Sequence, residues 1–212
     1  MSLEVTDITP LGVLDPVGRA VLVVIDVLGH EVANPYAGEK GPMAGRESRN
    51  AAIAALTDSC RQKNVPVVFI QEQHKPEGTD IGRELDGAEG MHCIEGSPDS
   101  QLYPGLNPTA DEYVIVKRRY SAFFGTPLEI ILKGYHAQTV LLVGELTDIC
   151  VHYTAVDAHQ LDYRFRVITD MLTGSTPRAH EAALRAMKYL QRDALVTSKA
   201  VADWLDSKPL VA

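Results

Sequence analysis

The chain has 212 residues, 45% hydrophobic and 23% charged, with a formal net charge of -8 and a pI near 5.3. Such a length supports one full hydrophobic core, so a single domain over residues 1–212 is expected, and the composition excludes wholesale disorder. The acidic balance, with no basic run denser than KRRY at 117–120, argues against nucleic acid and anionic membranes as partners.

The start, MSLEVTDITP, lacks the charged-then-apolar pattern of a secretory signal, and no apolar run approaches membrane-spanning length. Cys60, Cys93 and Cys150 are odd in number and widely spaced, which points to a reducing cytoplasm rather than a disulfide framework. Short runs of Val, Ile and Leu then recur with helical stretches between them. AVLVVID (20–26), VPVVFIQ (65–71), EYVIVK (112–117), TVLLVG (139–144), FRVITD (165–170) and a shorter ALVTS near 194 read as buried parallel strands.

RESRNAAIAALTDSCRQKN places Ile53, Leu56 and Cys60 on one helical face. DICVHYTAVDAHQLDY does the same with Cys150, Val151, Ala155, Ala158 and Leu161, and PRAHEAALRAMKYLQRD with Ala183, Leu184, Met187 and Leu190. The alternation predicts a three-layer α/β/α domain around a mainly parallel sheet. One long stretch between the second and third strands, QHKPEGTDIGRELDGAEGMHCIEGSPDSQLYPGLNP, is irregular and rich in Gly, Pro and charge, and loops of that length are more often functional than idle.

Ligands of open α/β sheets bind beyond the carboxyl ends of the strands. Three such ends carry Asp26, Lys117 and, through the turn GELTDIC, Cys150. A helix N-terminus, capped by Thr147 or Asp148, and a nearby ammonium would favour the thiolate of Cys150, while Asp26 could accept its proton. Each residue also has a plain structural reading: Cys150 as a small core residue, Asp26 as a strand cap, Lys117 as a solvated edge charge.

Three segments carry a family likeness: LVVIDV around Asp26, VKRRYSAFFGTPLEIIL around Lys117 and VLLVGELTDICVHYTAVDA around Cys150. In these segments and their order, the chain from about Ala20 to Asp170 resembles the isochorismatase-like cysteine hydrolases. That group includes nicotinamidases, N-carbamoylsarcosine amidases and ureidoacrylate hydrolases.

The resemblance implies a catalytic triad of Asp26, Lys117 and Cys150, a cis peptide at Glu145–Leu146, and an oxyanion hole from the amides of Leu146 and Cys150. It implies hydrolysis of a C–N bond in a small amide or carbamoyl compound through a thioester. It also implies a homo-oligomer, dimer or tetramer. Nicotinamidases bind a divalent metal through Asp-x-His and a later His of an HC dipeptide; Glu72, His74 and His92 stand in those places here, with Glu for Asp. No cofactor is required by the triad chemistry, and zinc, manganese or iron would suit the two imidazoles and the carboxylate.

The aromatic residues that sandwich a pyridine ring in nicotinamidases are missing from DVLGHEV and DGAEGMHC, which disfavours nicotinamide. Phe123, His30 and Glu31 are candidates for the substrate pocket, with packing against the following helix as the other reading of Phe123. Two alternatives stand beside amide hydrolysis. An isochorismatase-type vinyl-ether hydrolase often lacks the cysteine, and a non-catalytic metabolite-binding module would be expected to carry a glycine-rich phosphate loop after the first strand.

Overall fold

A computed structural model describes residues 7–29, 45–87 and 89–209. Six strands, β1 (Arg19–Ile25), β2 (Val67–Glu72), β3 (Tyr113–Lys117), β4 (Ala137–Glu145), β5 (Arg164–Thr173) and β6 (Leu195–Val196), form one sheet in the order β3-β2-β1-β4-β5-β6. Every neighbouring pair is parallel. Parallel strands covered on both faces need apolar side chains in both directions, which is why β1 and β4 read as unbroken aliphatic runs rather than alternating ones.

Helices α2 (Leu128–Gly134), α3 (His152–Gln160) and α4 (Pro177–Leu190) cover one face. Leu128, Leu132, Ala155, Ala158, Leu184 and Met187 pack there against Val21, Val23, Ile70 and Val140. Helices α1 (Arg46–Gln62) and α5 (Ser198–Asp206) cover the other, bringing Ile53, Leu56, Cys60, Val201 and Leu205 onto Leu22, Val24, Phe69 and Leu141. The expected three-layer α/β/α architecture with a parallel sheet is therefore present. Leu161 departs from expectation: it is the C-terminal cap of α3, where the helix turns away from the sheet, and it is 39% exposed.

The order places β1 between β2 and β4: α1 carries the chain from β1 to β2 over one face, and α2 carries it back from β3 to β4, on the other side of β1, over the opposite face. A crevice forms at the carboxyl ends of strands around such a reversal. Gly144 keeps β4 close to β1 there. Its φ is 114°, and a Cβ on it would lie 1.9 Å from the Ile25 carbonyl oxygen.

Candidate active site

Asp26 directly follows β1, in a left-handed conformation with φ 49° that turns its side chain onto the crevice. Its Oδ1 accepts the backbone N–H of Glu72 at 2.8 Å. Lys117 ends β3 and is 0% exposed, an uncommon state for a lysine that calls for paired charge. Its Nζ lies 3.0 Å from Asp26 Oδ2, in ion-pair range, and donates to Cys150 Sγ at 3.3 Å.

Cys150 sits in a π-helical turn, Thr147–Val151, that runs directly into α3, so its amide belongs to the first turn of one continuous helical segment. The sulfur is buried, at 7% exposure. The three residues nominated from sequence are thus gathered in one site. The Glu145–Leu146 peptide is cis, as the resemblance implied.

Two expectations are corrected. Neither Thr147 nor Asp148 caps the helical segment: the Asp148 carboxylate accepts the N–H and hydroxyl of Ser175, at 2.8 and 2.5 Å, and Thr147 pairs with His180 Nδ1 at 2.9 Å. The thiol is also not depressed at rest. Burial pushes it well above the ordinary cysteine value, Lys117 opposes this, and the nearby Glu72 and Asp26 carboxylates add to the rise. The same burial, partly offset by Lys117, lifts Asp26 to about 6. Lys117 itself is pushed down by burial, but Asp26, the sulfur and Glu72 outweigh that and hold it well above its usual range. At neutral pH the resting site therefore pairs a protonated thiol with an ionised carboxylate and a fixed ammonium.

Beside this triad lies a second buried cluster. One ligand atom from each of Glu72, His74, Glu84 and His92 falls within 4.8 Å of the others. Glu72 Oε1 is 3.3 Å from His74 Nε2 and 3.0 Å from His92 Nε2. Glu84 Oε2 is 3.4 and 3.5 Å from the same two nitrogens. The ring of His92 is oriented by Nδ1 at 2.7 Å from the Gly90 carbonyl.

Both Glu84 oxygens and His74 Nδ1 are buried without a hydrogen-bond partner among the described residues. Burial lowers both histidines, yet the adjacent carboxylates of Glu72 and Glu84 prevail and raise His74 to about 9 and His92 to about 11. Glu72 is pushed up by burial but held well below the carboxylate range by Lys117 and the histidines. Two imidazoles and two carboxylates, that of Glu84 with both oxygens orphaned, fit a divalent cation as well as they fit two protons.

Glu84, in a 3₁₀ turn Gly82–Asp86 of the long irregular stretch, was not identifiable from sequence, because nothing distinguishes it there from Glu77, Glu89 or Glu95. Phe123 is committed to packing: its ring stacks on Tyr163 at 6.0 Å and lies against the core beneath α2 and α3. His30 and Glu31 lie outside the described residues.

The fold and the segments bearing Asp26, Lys117 and Cys150 define an isochorismatase-like chain, and the isochorismatase domain profile matches residues 20–201. The chain belongs to the isochorismatase family. Over 173 residues it is 34% identical to Enterobactin synthase component B of Escherichia coli strain K12, covering 81% of this chain and 58% of that protein. The chain thus spans less than two thirds of that curated relative's length. Among solved structures it is similar to an isochorismatase-like hydrolase from Alkaliphilus metalliredigens, with a TM-score of 0.71 and 28% identity, covering 88% of this chain and 100% of the other. It is also similar to N-carbamoylsarcosine amidase from Thermoplasma acidophilum, with a TM-score of 0.65 and 28% identity over 85% and 97% of the two chains.

Proposed function

We propose that this protein is a cysteine-dependent hydrolase that cleaves a C–N bond of a small amide or carbamoyl compound through a thioester on Cys150. The observation that carries the reading is the contact of one buried ammonium with both a carboxylate and a sulfur: Lys117 Nζ at 3.0 Å from Asp26 Oδ2 and 3.3 Å from Cys150 Sγ.

Asp26 removes the proton of Cys150 as the sulfur attacks the planar carbonyl carbon. Its value of about 6 suits a base that must later act as an acid near neutrality. Lys117 balances the charge that moves between carboxylate and sulfur, in a site too dry for water to do so. The oxyanion is held by the amides of Leu146 and Cys150, each good donor contributing about 3 kcal/mol. Asp26 then returns its proton to the departing amine as the C–N bond breaks, leaving the acyl group on sulfur. Water, deprotonated by Asp26, adds to the thioester; the C–S bond breaks, the thiol is regenerated and the acid leaves.

Glu72, His74, Glu84 and His92 would hold a divalent cation such as zinc, manganese or iron. A bound cation there would supply Lewis-acid polarisation of a substrate oxygen or nitrogen. The thiol in contact with Lys117 favours amide cleavage over vinyl-ether hydrolysis, which has no use for a covalent acyl acceptor.

The test is a hydrolysis screen over small amides, ureas and carbamoyl acids with ammonia detection, run in parallel on wild type and Cys150→Ala. Turnover by wild type alone is expected. Full turnover by Cys150→Ala would end the proposal.

A further inference from the structure

Glu72 faces both clusters at once. Its Oε1 lies against His74 and His92, at 3.3 and 3.0 Å, while its Oε2 accepts from Lys117 Nζ and stands 3.5 Å from Cys150 Sγ. Its backbone N–H is the donor that holds Asp26 Oδ1. One residue therefore contacts all three members of the proposed triad.

The lysine explains what this contact does. An ammonium on a four-carbon stem is a compact charge with three donors free to rotate. Here Nζ, fully buried, donates to Glu72 Oε2 and Cys150 Sγ and lies 3.0 Å from Asp26 Oδ2 in an ion pair, which fixes both its rotation and its position. If the Glu72 contact is removed, the ammonium is held by Asp26 and a weakly accepting sulfur.

Side-chain length is the enabling feature. Glutamate exceeds aspartate by one C–C bond, about 1.5 Å, so an aspartate at position 72 would draw both carboxylate oxygens back from the histidines and from Lys117.

We propose that Glu72 is a positioning residue of the catalytic centre, its reach locking Lys117 against the sulfur while its amide holds Asp26. This rests on the thiol-hydrolase reading and adds a fourth residue to it. It makes the choice of glutamate a functional one: reach matters at this position more than charge.

The test compares Glu72→Asp, which keeps the charge and shortens the reach, with Glu72→Gln, which keeps the reach and removes the charge. Both are confirmed folded by thermal melting, then assayed with the substrate found in the amide screen. Positioning predicts that Glu72→Asp lowers kcat about 100-fold, the scale of an ångström-sized misplacement. KM should stay within about threefold of wild type. Glu72→Gln should retain more of kcat than Glu72→Asp. A residue serving only as a charged ligand of the histidine cluster gives the reverse order, and Glu72→Asp equal to or better than Glu72→Gln overturns the proposal.

A second readout needs no substrate: the rate of iodoacetamide alkylation of Cys150 in chelator-treated protein, followed by peptide mass spectrometry. Glu72→Gln should lie nearer wild type than Glu72→Asp, and the opposite order counts against the proposal. If wild type hydrolyses no amide, the reading of the reaction fails and alkylation alone decides the role of Glu72. Where a substrate is found, turnover decides it.

Discussion

Replacing Lys117 by methionine removes the one ammonium between two buried carboxylates, Asp26 and Glu72, while roughly keeping the volume of the side chain. Breaking a buried ion pair by removing one partner costs about 3 to 5 kcal/mol, because the remaining charge is left uncompensated. In a protein of this size each kcal/mol shifts Tm by roughly 2 to 4 °C. Lys117→Met should therefore melt about 6 to 20 °C below wild type at pH 7.

The pH dependence of that deficit has a definite sign. Burial has already raised Asp26 to about 6, above its ordinary value of 3.8, and loss of Lys117 removes the strongest influence opposing that rise. Between the unfolded and folded values the native state binds more protons, so its stability increases as pH falls. The deficit should shrink when melting is repeated at pH 5. Thermal unfolding by circular dichroism, both proteins at both pH values, measures this. A Tm within about 2 °C of wild type at pH 7, or a deficit that widens at pH 5, would refute the picture of a buried charge-balanced triad.

Because Asp26 must be ionised to take the thiol proton, kcat/KM should fall as pH drops through about 6, and Asp26→Asn should lower it at least about 100-fold. Zinc binding to the histidine cluster should release close to two protons at pH 7, since His74 and His92 titrate near 9 and 11. Affinity should therefore rise with pH, which calorimetry in buffers of different ionisation enthalpy detects. Glu84→Gln should weaken that binding at least about tenfold. Gly144→Ala adds a methyl 1.9 Å from the Ile25 carbonyl at a φ of 114° and should cost roughly 3 kcal/mol in urea unfolding.

The strands were legible because burial on both faces leaves a continuous aliphatic signature, and all six runs fell within three residues of their final bounds. Helix α5 escaped notice, and α2 entered only as the helix following Phe123. LEIILKG is only 7 residues long, and SKAVADWLD is announced mainly by Thr197, whose hydroxyl caps it by accepting from the Ala200 N–H.

At the site, Asp26, Lys117 and Cys150 were found because each ends or follows a readable strand. Glu84 was not, since a charged residue in an aperiodic loop carries no spacing that reveals burial. Glu72 was recognised as a candidate ligand in place of an aspartate, with nothing in the sequence to show that it also contacts Lys117. In the fold its two carboxylate oxygens face opposite ways, Oε1 to the histidines and Oε2 to Lys117. The resting state of the thiol was also beyond sequence, because it depends on two carboxylates and an ammonium meeting in one dry space.

The central claim is that Cys150 becomes covalently acylated during turnover. Acid-quenching the protein with a substrate from the amide screen and measuring its mass should show the acyl group added, with fragmentation placing it on Cys150 and no adduct on Cys150→Ala. Steady turnover with no adduct on the sulfur, retained when Cys150 is replaced by alanine, would contradict the account.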